Sequence, residues 1–301
     1  MKVFTELNFN PKLSLALGYF DGVHLGHQSV IKQSVEFAHL NNCKSAIVTF
    51  KEHPVCYFRG CQPNYILTHE QRRQKIEALG VDYLYELDFS KFANLTAEDY
   101  LENVLVNNFS PIGITTGFNH NFGKNKSGNT EFLEKMSNVF GYKYFLQAAE
   151  KLEGEVISST AIRKYLLAGN IKQANKMLGN NFPIEGTVVK GQQLGRKIGF
   201  RTANLIYPDN IVQIPYGVYA TNVFYNNNCY KGITNFGIRP TVSQANKPSL
   251  ETNILEFDED IYGENISIEF LEMLRPEQKF SSLDKLITQI KFDVEKRQNM
   301  D

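Results

Sequence analysis

The chain has 301 residues, 42% hydrophobic and 21% charged, with Lys plus Arg equal to Asp plus Glu at 32 each. That length accommodates two ordinary domains, and a balanced charge supplies no overall field to hold nucleic acid or an acidic membrane, so neither is an expected partner. Cys43, Cys56, Cys61 and Cys229 lack C-x-x-C spacing, Met1–Glu6 has no apolar core of a secretory signal, and no apolar run reaches membrane-spanning length; reduced thiols and a cytoplasmic location are the expectation.

Short apolar runs alternate with amphipathic stretches from Leu13 to about Ala149, the pattern of βα units around a parallel sheet. Strands are predicted at Leu13–Leu17, Ser45–Phe50, Asp82–Leu87, Ile112–Thr116 and Tyr142–Ala148, and helices at His27–Leu40, Glu70–Leu79, Ala97–Asn107 and Thr130–Val139. Two short helices follow, around Ala161–Ala168 and Ile171–Leu178, before Gly179–Pro183 breaks the pattern and marks a boundary between domains 1–181 and 182–301. Beyond it, Ile184–Val189, Gly217–Tyr225, Cys229–Asn235, Glu251–Phe257 and Ile266–Leu271 read as strands of a small β-barrel. A final helix, Leu283–Arg297, carries the stripe Leu283, Leu286, Ile287, Ile290 and Val294, expected to pack on the barrel wall.

Chemistry concentrates first at Gly18-Tyr19-Phe20-Asp21-Gly22-Val23-His24-Leu25-Gly26-His27, a glycine-rich turn between a strand and a helix. Gly18, Phe20, Asp21 and Gly26 belong to a backbone that can approach a phosphate at a helix N-terminus. Neither G-x-G-x-x-G nor a P-loop is present; the H-x-G-H of His24 and His27 suits nucleotidyl transfer, where charge grows on α-phosphate oxygens and needs positioned donors. Two rival readings stay open: plain turn histidines, and a metal site of Asp21, His24 and His27, which the flanking Gly22 and Gly26 disfavour. His53 follows the second strand at the ligand-binding end of the sheet, and Ser159, Thr160 and Arg163 open a helix that could grip a triphosphate or, for the hydroxyls, simply cap it.

The second constellation starts at Gly191, Gly195 and Gly199, a flap with Arg196 and Lys197 for phosphate charge, followed by Thr202 and Asn204, two oxygen ligands on one side of a strand suited to Mg²⁺. All six histidines lie in the first 120 residues, so a base in the barrel must be a carboxylate, for which Glu251 is the candidate.

Gly18–His27, Thr49–Pro54, Gly117–Lys124 and Ile157–Arg163 together resemble the adenylyltransferase module of bacterial bifunctional riboflavin kinase/FAD synthetases, and Gly186–Asn204, Pro215–Tyr219, Asn235–Thr241, Tyr262–Gly263 and Leu274–Phe280 resemble the kinase module. The resemblance implies a Rossmann-like α/β nucleotidyltransferase domain followed by a six-stranded antiparallel barrel with a C-terminal helix. It implies that His24 and His27 stabilise the α-phosphate transition state, that Asp21 and Ser159–Arg163 bind ATP, and that Asn119 lines the FMN cleft. It further implies a Mg·ATP site at Thr202 and Asn204, Glu251 as base for the ribityl hydroxyl, and a flavin lid including Arg275 and Glu277. Riboflavin, FMN and ATP are then the partners, with flavins as substrates and products, and weak homo-oligomerisation left open.

Departures from the family pattern are Lys51 and Glu52, which displace the proline before His53; His120 in place of an aromatic; Arg201 in place of a proline; and Asn253 and Glu256 in place of His and Asp. The proline lost before His53 is expected to loosen its loop, and the one replaced by Arg201 to cost about 0.4–1 kcal/mol of preorganisation. Two alternatives follow: a kinase with a degenerate adenylyltransferase half, opposed by His24 and His27, and a non-catalytic flavin or nucleotide sensor, opposed by Glu251, Thr202 and Asn204.

Overall fold

Every residue of Leu13–Leu17 is buried, as in a strand covered on both faces by helices. The computed structural model describes residues 1–9, 11–60, 64–191, 199–238 and 247–300, and they fall into two compact units, Met1–Ser159 and Thr160–Asp301. The unit division precedes the Gly179–Pro183 break.

The first unit holds β1 (Lys2–Phe4), β2 (Leu13–Leu17), β3 (Lys44–Phe50), β4 (Tyr83–Leu87), β5 (Gly113–Gly117), the small pair β6 (Asn121–Phe122) and β7 (Gly128–Asn129), β8 (Lys143–Gln147), and a second small pair, β9 (Lys151–Leu152) and β10 (Glu155–Val156). Six of them form a parallel sheet in the order β1-β4-β3-β2-β5-β8. Its helices are α1 (Leu25–Leu40), α2 (Pro54–Arg59), α3 (His69–Ala78), α4 (Ala97–Asp99), which continues as a π-helix over Tyr100–Val106 into α5 (Asn107–Phe109), and α6 (Thr130–Phe140). Strand order runs outward from β2 in both directions, so the carboxyl ends of β2 and β5 form a topological switch point, where α/β sheets bind ligands. Leu13, Leu15, Leu17, Leu101, Phe109 and Ile114 help fill one core, each fully buried side chain of this kind contributing about 1.5–3 kcal/mol.

Helices α7 (Ser159–Leu167) and α8 (Ile171–Leu178) lead to β11 (Phe182–Thr187), β12 (Ala203–Ile206), β13 (Gly217–Tyr225), β14 (Asn228–Ile238), β15 (Pro248–Ile254), β16 (Asn265–Pro276) and the terminal α9 (Leu283–Gln298). The six strands form one antiparallel sheet, β11-β16-β13-β14-β15-β12. Just past β11, Val189 pairs with Asn204, its N–H donating to the Asn204 carbonyl at 2.8 Å, and brings the two edges together as a nearly closed barrel. Asn226 and Asn227, both at positive φ (47° and 63°), make the two-residue turn between β13 and β14. The hydroxyls of Thr221, Thr234 and Thr252 meet at 2.9 Å inside the barrel and satisfy one another there.

Helix α9 departs from expectation in what anchors it. Its most buried residues are Asp293 and Arg297, while Leu283 is 56% exposed and the rest of the apolar stripe is half-buried. Arg297 donates to the Thr221 carbonyl at 3.1 Å and to Asn222 Oδ1 at 2.6 Å, and Asp293 accepts from Arg275. Apolar periodicity marks the helix but does not reveal these charged anchors.

Candidate active sites

In the first unit the chain leaves β2 at Gly18 and reaches α1 through Phe20, Gly22 and Val23 at positive φ (59°, 84° and 42°). Gly22 fits because a side chain there would meet the Ile66 side chain as well as an unfavourable φ. His24 is the N-cap of α1, its Nδ1 accepting from the His27 N–H at 3.2 Å. The His24 and His27 rings stack with centroids 3.5 Å apart and planes 18° apart, and Phe20, 2% exposed, stands edge-on to His27. Gly26 keeps its Cα beside the His24 ring. Two imidazoles are thus presented together at a helix N-terminus, on the switch-point end of the sheet.

Asp21 is buried, and its carboxylate accepts from the Ile66 N–H at 3.1 and 3.3 Å. Its backbone carbonyl accepts from Ser159 Oγ at 2.9 Å, which ties the start of α7 to the turn. Among the described residues no group of three or more His, Cys, Asp or Glu side chains is arranged to hold a metal.

His53 caps α2, with Nδ1 accepting from the Val55 N–H at 3.1 Å and Pro54 in the first turn; its own N–H donates to Tyr65 Oη at 3.3 Å. These bonds order the loop in the absence of the proline that Glu52 displaces. Asn119 is exposed just past β5, its carbonyl accepting from Asn121 Nδ2. His120 answers its own departure: the ring stacks against Phe122 with planes 26° apart, and Nε2 is shielded from solvent.

Burial holds the His120 imidazole down at about 4, so it is an uncharged ring at neutral pH. Between the free value of 6.5 and about 4 the unfolded chain takes up a proton that the folded chain refuses, so stability falls as pH drops through that window. The loss is expected to reach about 3 kcal/mol. A His120→Phe chain should flatten this slope in urea unfolding at pH 7, 5.5 and 4.5; an unchanged slope would mean that the imidazole takes up protons equally in both states.

Thr160 and Arg163 lie on α7 and line an open concave face with Lys164 and Leu167. In the barrel, Asn204 on β12, Glu251 on β15 and Asn235 on β14 are directly opposite one another in register, and so share one face. That face is outward, because Leu250, Thr252 and Ile254 alternate with Glu251 and are buried. Thr202 and Asn204 line a cavity of about 160 Å³ with Val188, Arg201, Asp260 and Tyr262. Asn204 donates through Nδ2 to the Thr202 carbonyl at 3.2 Å, and a Cβ on Gly191 would stand 2.5 Å from that nitrogen, so only glycine lets the flap backbone lie this close. Gly199 returns the chain at φ 87°; Gly195, Arg196 and Lys197 lie outside the described residues.

Arg201 and Asn253, two of the departures, contact each other: Asn253 Nδ2 donates to the Arg201 carbonyl at 2.7 Å, and Arg201 Nη1 donates to the Asp258 carbonyl at 3.0 Å. They tether the strand entrance next to Thr202. Arg275 is bound to Asp293 at 3.0 Å and lies over the Phe280 ring, while the Glu277 carboxylate covers Gly237. Sequence reading gave no role to the segment Tyr65–Arg72, whose end it placed in a helix from Glu70, and which touches Tyr19, Asp21 and His53. Its only local signal is the capping box of Thr68 and Gln71.

A parallel sheet with paired histidines at its switch point and a six-stranded antiparallel barrel lie in one chain, the architecture of a nucleotidyltransferase domain followed by a riboflavin kinase-like domain. Residues 7–161 match the FAD synthetase family and residues 178–300 the riboflavin kinase family. Curated relatives described as bifunctional riboflavin kinase/FMN adenylyltransferase are 33% identical in Listeria monocytogenes, over 93% of this chain and 89% of the relative, and 34% identical in Bacillus subtilis, over 94% and 90%. A crystal structure described as a macrolide-efflux protein from Streptococcus pneumoniae is 33% identical and aligns over 99% of both chains with a TM-score of 0.89. The chain belongs to the bifunctional riboflavin kinase/FMN adenylyltransferase family. Among its described residues no helix is long and apolar enough to cross a membrane.

Proposed function

We propose that the chain makes FAD from riboflavin in two ATP-dependent steps, the barrel phosphorylating riboflavin to FMN with release of ADP, and the α/β unit adenylylating FMN to FAD with release of diphosphate. The geometry that supports this reading is the stacked pair of His24 and His27 at the N-terminus of α1, and the single cross-strand row of Asn204, Glu251 and Asn235.

In the barrel, Glu251 accepts the proton of the ribityl hydroxyl as its oxygen attacks the γ-phosphorus and the bond to ADP breaks. Thr202 and Asn204, neutral oxygen donors lining one cavity, suit Mg²⁺ bound with ATP, which would neutralise phosphate charge there. Gly191 and Gly199 would let the backbone approach the phosphates, and Arg275 and Glu277 belong to the flavin side. In the α/β unit the FMN phosphate attacks the α-phosphorus of ATP while His24 and His27 stabilise the charge that develops on its oxygens. Gly18, Phe20, Asp21, Gly26, His53 and Ser159 hold ATP, and Asn119 faces FMN. Riboflavin, FMN and ATP are thus small-molecule partners, and a cytoplasmic setting supplies them.

Incubation with riboflavin, ATP and Mg²⁺, followed by chromatography over time, is expected to yield FMN first and FAD after a lag. FMN alone would leave only the kinase; neither product would leave a binding protein.

A further inference from the structure

We infer that Arg72 is a positioning residue for adenylyl transfer, a role that rests on the adenylyltransferase reading of the first unit. Arg72 lies in the first turn of α3 and is 2% exposed. Its Nη1 donates to the Tyr19 carbonyl at 3.2 Å, and its Nη2 to the Phe50 carbonyl at 3.3 Å and to Glu86 Oε1 at 2.7 Å. The guanidinium also lies 4.8 Å above the centroid of the Tyr19 ring. These acceptors mark the carboxyl ends of three neighbouring strands: Tyr19 follows β2, Phe50 ends β3, and Glu86 is next to last in β4.

The two carbonyls are the roots of the site loops. From Tyr19 the chain runs straight into Phe20–His24, and from Phe50 it runs to His53. One rigid fork therefore sets the spacing between the loop that carries the paired histidines and the loop that carries His53. The residues before it add to the brace, Ile66 through its N–H to the Asp21 carboxylate and Tyr65 through its hydroxyl to the His53 N–H.

Neutralising Glu86 is a poor account of Arg72, because Arg73 Nε also donates to Glu86, at 2.8 Å. A buried ion pair is moreover weak evidence for stability, since its desolvation cost can exceed its Coulombic gain. Hydrogen bonds to the two loop roots are what distinguish Arg72 from Arg73.

The full-length chain and its Arg72→Met, Arg72→Lys and Glu86→Gln variants can be assayed for FAD formation from FMN and, in the same preparations, for FMN formation from riboflavin. Arg72→Met is expected to lower kcat for FAD formation about 10- to 100-fold, with KM for FMN and ATP within about threefold, an unchanged proteolytic cleavage pattern and unchanged FMN formation. Arg72→Lys, which keeps the charge without the fork, should recover a minor part of the loss. Glu86→Gln leaves both carbonyl bonds available and should lose far less kcat than Arg72→Met. Equal losses in Arg72→Met and Glu86→Gln would reduce Arg72 to half of an ion pair and overturn the inference. So would parent kcat in Arg72→Met, or a parallel loss of both activities or a changed cleavage pattern. A parent chain that converts no FMN to FAD would instead refute the adenylyltransferase reading itself.

Discussion

Replacing His27 by Ala is expected to cut FAD formation about 10²- to 10³-fold while FMN formation continues at the parent rate. The two histidines are not equivalent probes. His24 caps α1 through its imidazole, so His24→Ala removes a helix cap worth about 1 kcal/mol together with any catalytic donor. His27 takes part in that cap only through its backbone N–H, which alanine keeps. Its side chain stacks on His24 and meets the edge of Phe20, so truncation removes an imidazole and leaves the turn anchored by Ile66 and Ser159. Time courses with riboflavin should then show FMN accumulating without conversion. Full FAD formation by the variant would remove His27 from the transition-state machinery.

The second large effect is expected in the other unit. Glu251→Gln should lower FMN formation about 10²- to 10⁴-fold, and FAD formation from supplied FMN should persist. Glutamine matches glutamate in shape, and position 251 lies mid-row between Asn204 and Asn235, so the sheet register has no reason to change. What is lost is the ability to accept a proton. A kinase rate within a few-fold of the parent would show that the base lies elsewhere. The two variants together separate the activities within one polypeptide, since mixing them should restore riboflavin-to-FAD conversion through released FMN.

Legibility in the sequence depended on how local each feature is. Strand β2 was readable as an apolar run, and the turn to α1 as glycines and histidines at close spacing. The small β-barrel was likewise readable from its β-rich runs, while its six-stranded antiparallel form was implied by the family resemblance. Strand β12, only four residues long and set behind a glycine-rich stretch, entered the sequence reading only through the two-residue spacing of Thr202 and Asn204, with no bounds of its own. Helix α2 was missed for a similar reason, six residues with none buried. The brace around Arg72 was invisible because its acceptors at Tyr19 and Phe50 are 53 and 22 residues away, beyond any local pattern. His120 and Arg201 looked like defects in a motif. In the fold, burial keeps the first an uncharged ring stacked on Phe122, and the second shares a tether with Asn253.

The barrel seam has a consequence of its own. Among the described residues the two edge strands meet through the Val189–Asn204 bridge, and Asn204 is also a proposed Mg²⁺ ligand. A ring closed at one narrow point opens there at the lowest free energy. Nucleotide held jointly by the flap at Gly191 and by Asn204 would span that gap like a clasp, so the kinase unit should gain its largest ligand-induced rigidity along the seam, with little change on the opposite wall of β13 and β14.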